Sequence, residues 1–141
     1  MATVFSRIIS GELPARFVWS DDRAVAFLSV NPLGPGHTLV VPREEVDQWV
    51  DASPQLLAHL TAVAHAVGGA VRAVWDPPRV GLLVAGFEVP HLHLHVFPAA
   101  DMAAFDFANA ARTVDPHEQD GYAEALRKAL HAAGHGAHVP A

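Results

Sequence analysis

Cysteine is absent from the 141 residues. That excludes disulfides, a thiol nucleophile and Cys-ligated zinc or iron–sulfur sites. Positive charge is scarce: 9 Lys and Arg stand against 15 Asp and Glu, a net charge of −6. Phosphate backbones select basic faces, so a nucleic acid polymer is not an expected partner. Charged residues reach only 17% while hydrophobic ones make up 51%, which excludes a disordered tail and implies a real core. Met1 to Arg16 has no basic start followed by a long apolar stretch, so no secretory signal is read there. The longest uncharged run, 52–71, contains Ser53, Pro54, Gln55, His59, Thr61, His65 and Gly68-Gly69. Its large residues fall on one side, so it reads as an amphipathic helix of a soluble protein rather than a membrane span. A cytoplasmic protein with no membrane partner is the expectation.

What is present organises into one domain without repeats or Gly/Ser linkers. Thr3 can cap a short helix over 4–10 that Gly11 ends. Strands are predicted over 17–19, 24–30, 37–41, 80–85 and 91–97. Asn31-Pro32-Leu33-Gly34-Pro35-Gly36 is turn chemistry throughout. Ser53-Pro54 opens a long helix on which Leu56, Leu60, Val63, Val67, Val71 and Val74 recur at helical spacing, and Asp76-Pro77-Pro78 ends it. Asp115, Pro116 and Glu118 are spaced to start a helix over 116–133, with Tyr122, Leu126, Ala129 and Leu130 as its apolar stripe. The tail beyond Gly134 is expected to be mobile. Strands and helices mix without βαβ regularity, which predicts an α+β fold with a mainly antiparallel sheet.

Ten histidines are present, and three of them alternate with apolar residues in His91-Leu92-His93-Leu94-His95-Val96. Side chains alternate faces along a strand, so the three imidazoles share one face and Leu92, Leu94 and Val96 the other. Such a face could be inert. It could bind a divalent metal, although the acidic neighbours in sequence are only Glu88 and Asp101. Or a neutral imidazole could attack phosphorus and carry the phosphoryl group, with flanking rings holding its tautomer and donating to phosphate oxygens.

His91-Leu92-His93-Leu94-His95-Val96-Phe97 resembles the signature of the histidine triad (HIT) superfamily of nucleotide hydrolases and transferases, in its bacterial branch. The segment Phe5-Ser6-Arg7-Ile8-Ile9-Ser10-Gly11-Glu12-Leu13-Pro14-Ala15 is similar to the family's N-terminal helix and turn. Ala26-Phe27-Leu28 and Pro35-Gly36-His37-Thr38-Leu39-Val40-Val41-Pro42-Arg43 are similar to its central strands. The resemblance implies a five-stranded antiparallel sheet, one long helix and short N- and C-terminal helices. It spans about 1–100, leaving 101–141 as an extension packed on the same domain or on a dimer partner. It implies a homodimer acting on a nucleotide, with a purine mononucleotide the expected ligand.

The resemblance also assigns roles. His93 is the nucleophile attacking an α-phosphate, and His95 and His91 orient it and contact phosphate oxygens. His37 is a fourth histidine on a neighbouring strand. Phe5, Ile8, Phe27 and Leu39 form the base slot. Ser29 stands where the family has a ribose-contacting acid or amide, and Glu88 lies in the loop Gly86-Phe87-Glu88-Val89-Pro90, where the family has Gln and a hydroxyl. Zinc-bearing members begin with Cys-x-x-Cys, places read here as Val4 and Arg7, and their histidine after a Pro-Lys stretch is replaced by Glu45. No structural zinc and no other cofactor is therefore expected. The expected reaction is cleavage of a phosphoramidate, acyl-adenylate or dinucleoside polyphosphate through a nucleotidyl-histidine. A nucleotide-binding protein with little turnover and a divalent-metal hydrolase are the alternatives.

Overall fold

The computed structural model describes residues 2–140. Five strands, β1 (Phe17–Ser20), β2 (Ala24–Leu28), β3 (Thr38–Pro42), β4 (Arg79–Leu83) and β5 (Leu94–Ala99), form one sheet in the order β1-β2-β3-β5-β4. Every neighbouring pair is antiparallel. Three helices, α1 (Val4–Ile9), α2 (Pro54–Trp75) and α3 (Pro116–Ala132), complete an α+β fold.

Each helix begins where its sequence offers an acceptor for orphan N–H groups. The Thr3 hydroxyl accepts from Ser6 N–H, the Ser53 hydroxyl from Leu56 N–H, and the Asp115 carboxylate from His117 N–H. Asp76 closes α2 in the left-handed region, and Pro77-Pro78 prevents any continuation. Length and composition alone would let α2 cross a membrane. Instead Leu56, Leu60, Val63, Val67 and Val71 pack against Ala26, Val40, Leu94 and Val96 of the sheet. α3 lays Ala123, Leu126 and Leu130 into the same core, and its Arg127 Nε donates to Phe17 O on the edge of β1.

Several boundaries differ from expectation. β5 starts at Leu94 rather than at residue 91, because His91 N–H turns back to Val89 O (2.8 Å) and Leu92 N–H reaches Val46 O (2.7 Å) instead of a ladder partner. It runs on to Ala99, opposite Arg79, so β4 begins at 79 and ends at 83. β2 stops at Leu28, where the turn toward Gly36 begins, and β3 runs 38–42. Gly36 has φ +75°, and a Cβ there would lie 2.3 Å from the Trp75 indole, so the close approach of turn and helix requires glycine. The tail after Gly134 is not loose: His138 stacks on Trp19 (4.8 Å between centroids) and Val139 packs on the core.

Candidate active site

The period-two alternation gives the sheet two unlike faces. Toward α2 point Ala26, Val40, Leu94 and Val96. On the other face Val25, Phe27, Leu39 and Val41 form a second apolar cluster beneath Phe5 of α1. The register Phe27↔Leu39 and Leu39↔His95 sets these three in a row across the strands. At ~4.8 Å per strand, Phe27 and His95 stand about 10 Å apart. A cavity of about 760 Å³ opens over this row, a size suited to a small organic ligand. α1 flanks it on one side and residues 107–112 on the other.

Phe5, Ile8, Phe27 and Leu39 line the cavity, as do Ser29, His37, Glu88, His93 and His95. His91 does not. It is fully buried, its Nε2 donates to Pro42 O (2.8 Å), and its Nδ1 meets the Thr3 hydroxyl (2.7 Å). Both nitrogens are engaged within the protein, so the expectation that His91 touches phosphate is corrected: this ring anchors α1 to the sheet. What His91 offers the site is its carbonyl, which accepts from His93 Nδ1 at 2.7 Å.

That bond decides the chemistry of His93. A carbonyl only accepts, so Nδ1 carries the proton and Nε2 keeps its lone pair. Phe5 packs edge-on against the ring at 4.9 Å and His95 at 4.8 Å, which fixes its plane. Burial lowers its pKa from 6.5, outweighing the carbonyl bond and nearby Glu88, both of which favour the proton.

A second chain of donors fixes His95. Leu33 N–H donates to His37 Nδ1 (2.8 Å), so His37 Nε2 carries the proton and donates to His95 Nδ1 (2.9 Å). His95 therefore has its remaining N–H on Nε2. Burial, and then the neighbouring imidazoles, push His37 down to about 3 and His95 to about 4. Near neutrality the site thus holds an uncharged acceptor, His93 Nε2, beside an uncharged donor, His95 Nε2–H.

The loop before the triad splits two residues that sequence grouped together. Glu88 lines the cavity, whereas Phe87 is 99% exposed and outside it. Ser29 is buried, its hydroxyl accepting from Asn31 N–H at 3.2 Å.

The comparison with zinc-bearing members also needs a correction. Thr3 and Ser6, not Val4 and Arg7, meet His91 and Glu45: Thr3 N–H and the Ser6 hydroxyl both donate to Glu45 Oε1. The Ser6 hydroxyl and then Thr3 N–H hold the Glu45 carboxyl below its ordinary range. Val4 is exposed, and Arg7 pairs with Glu12 at 3.2 Å. Zinc takes thiolate, imidazole or carboxylate ligands. Two hydroxyls, one imidazole and one carboxylate already bonded among themselves do not fit that ion.

Sequence reasoning missed the second wall of the cavity, built from Arg16, Asn31, Phe107, Arg112 and Asp120. Phe107 packs on the His95 ring at 5.0 Å. Asn31 Nδ2 holds the wall by donating to Ala111 O (3.1 Å) and Arg112 O (3.3 Å), and Ala111 N–H donates to Pro32 O (2.9 Å). In the sequence Asn31 reads only as a turn residue. Residues 101–114 have no periodicity to announce a role, and a long-range contact leaves no local signal.

Residues 10–102 match the HIT domain model. A HIT-like protein of Mycobacterium tuberculosis is 30% identical over 135 residues, 92% of this chain and 94% of the relative. A zinc-bound histidine triad family protein from Mycobacterium smegmatis superposes with a TM-score of 0.80 at 26% identity, covering 96% of this chain and 98% of that one. A hypothetical histidine triad nucleotide-binding protein from Sulfolobus tokodaii superposes with a TM-score of 0.81 at 25% identity, over 91% of each chain.

Proposed function

The chain belongs to the HIT domain family, and from that premise we propose that it is a nucleotide hydrolase or nucleotidyl transferase with His93 as nucleophile. Family membership supports a nucleotide-binding, hydrolase-type function; the residue roles are our own reading. The observation that carries it is the 2.7 Å bond from His93 Nδ1 to the His91 carbonyl, which leaves Nε2 unprotonated in a ring that lines the cavity.

The base lies among Phe5, Ile8, Phe27 and Leu39, the sugar crosses Leu39, and the α-phosphate reaches His93 and His95. His93 Nε2 forms a bond to phosphorus as the bond to the leaving atom breaks, and that atom departs with its electron pair and takes up a proton. His95 Nε2–H hydrogen-bonds a phosphoryl oxygen, where charge builds in the transition state. Water then attacks phosphorus, gives up one proton and returns the electron pair to His93. One water is consumed per bond cleaved. The scheme assigns no step to a metal. Phosphoramidates, acyl-adenylates and dinucleoside polyphosphates all fit it, with a purine mononucleotide as the common moiety.

A homodimer is also proposed. The edge of β1 is occupied by Arg127, whereas β4 is an edge strand that carries exposed Leu82 and is followed by exposed Val84 and Phe87. Sedimentation of the wild type against a Leu82→Glu variant tests that edge.

Incubation with nucleotide labelled at the α-phosphate, followed by quenching, tests the mechanism. The expected adduct is acid-labile, base-stable and missing from His93→Ala. Equal labelling of wild type and variant overturns the covalent mechanism. Nucleotide binding without labelling or turnover on any of the three substrate classes would instead make the chain a binding protein.

A further inference from the structure

We propose that the cavity wall where Arg16 and Asn31 meet the C-terminal extension is a second anion subsite, which takes a phosphate carried on the 2′ or 3′ hydroxyl of the bound nucleotide's ribose. This rests on the reading above and names its substrate class more narrowly: nucleotides phosphorylated on the sugar as well as at the 5′ position.

The placement follows from the row across the sheet. With a base over Phe27 and a phosphate at His95, the sugar lies over Leu39, between them. One flank of that position is α1, apolar at Phe5 and Ile8. The sugar's hydroxyl edge therefore faces the other flank, where Ser29 and then Asn31 stand. Asn31 N–H already donates to the Ser29 oxygen, so the Ser29 proton is left to donate outward.

Beyond Ser29 the wall is cationic. Arg112 lines the cavity with its side chain exposed, and forms no ion pair among the described residues. Its backbone is fixed at the rim because Asn31 Nδ2 donates to the Arg112 carbonyl. Arg16 lines the same wall, held by Asp120 at 2.8 Å and by Pro116 O at 3.2 Å. The wall's one carboxylate, Asp120, is thus already paired with Arg16, and the charge of Arg112 is left without a carboxylate partner among the described residues. The cavity's other carboxylate, Glu88, is close enough to His93 to favour its protonated form and pairs with neither arginine among the described residues. An unphosphorylated sugar offers only hydroxyls, which an acidic or amide side chain recognises well. A phosphate there calls for arginine, as in dinucleotide sites that distinguish a ribose hydroxyl from a ribose phosphate. A neutral serine in a cavity that two arginines also line matches the phosphorylated case.

Calorimetric titration at fixed salt tests this with three probes: adenosine 5′-monophosphate, adenosine 2′,5′-bisphosphate and adenosine 3′,5′-bisphosphate. Wild type is expected to bind one bisphosphate roughly tenfold tighter than the monophosphate, a charge-assisted contact's worth. Arg112→Ala should cut that ratio to under about twofold, and Arg112→Lys should restore part of it. Which bisphosphate gains identifies the hydroxyl. If the monophosphate binds but neither bisphosphate binds tighter, or if the ratio survives in Arg112→Ala, the subsite is overturned while the nucleotide reading stands. If none of the three binds, both fail together.

Discussion

Leu92, Leu94 and Val96 point toward α2, while His91, His93 and His95, interleaved with them, point toward α1 and the extension. The first face is dry and packed by α2 and α3. The second is cut by a cavity. The difference shows how a site gains precision. Leu94 and Val96 hold the strand from behind, so the His91 carbonyl and the His93 ring are placed by a core that has no part in the chemistry. A hydrogen bond made to a neighbour's backbone is only as exact as the backbone itself.

The contrast can be broken from either side. On the proposed mechanism His93→Ala should lower the steady-state rate by about 10⁴-fold or more, while circular dichroism and thermal unfolding stay close to wild type. Leu94→Ala, one residue away, should do the opposite. Denaturant unfolding should report a loss of about 2–5 kcal/mol from the cavity left in the core, with kcat per folded molecule lowered far less than in His93→Ala, because the strand behind the site is loosened but no reacting group is lost.

Acid sharpens the comparison, because only the histidine face titrates. His37 and His95 are lowered from 6.5 to about 3 and about 4. Above pH 6.5 folded and unfolded chains are equally deprotonated at these rings, so they contribute no pH dependence. Below it the unfolded chain takes up protons that the folded one refuses, and stability falls toward pH 4 and 3. Unfolding free energy measured against pH should drop by a few kcal/mol over that window, and His37→Phe should flatten the slope. His93 is lowered too, so kcat/KM should hold level to below pH 6.5 before it falls. The smallest effect is expected at the rim. Phe107→Ala removes a ring from the face of His95 at a cost of about 0.5–1.5 kcal/mol, read as a rate loss of several-fold with a matching rise in KM.

Much of this was legible along the chain because it is local. The Ser53-Pro54 cap, the apolar spacing of α2 and the alternation of His91 to Val96 are set by neighbours a few residues apart, and each stands in the structure. Similarity in sequence also brought Phe5, Ile8, Phe27, Leu39, Ser29 and His37 to the same cavity. What escaped was non-local. The cluster of Thr3, Ser6, Glu45 and His91 joins parts of the chain more than 80 residues apart. Asn31 meets Arg112 with a separation of 81. No window of sequence contains either pair.

The chain alone therefore determined the periodicities: which residues cap, which alternate, which face a core. The division of labour among three identical imidazoles was settled only on folding. His91 was closed by Thr3 and Pro42, His93 was opened by its bond to a carbonyl, and His95 was turned into a donor by His37. An imidazole's tautomer is set by the partner that its other nitrogen finds, and in this protein most of those partners arrive from distant segments.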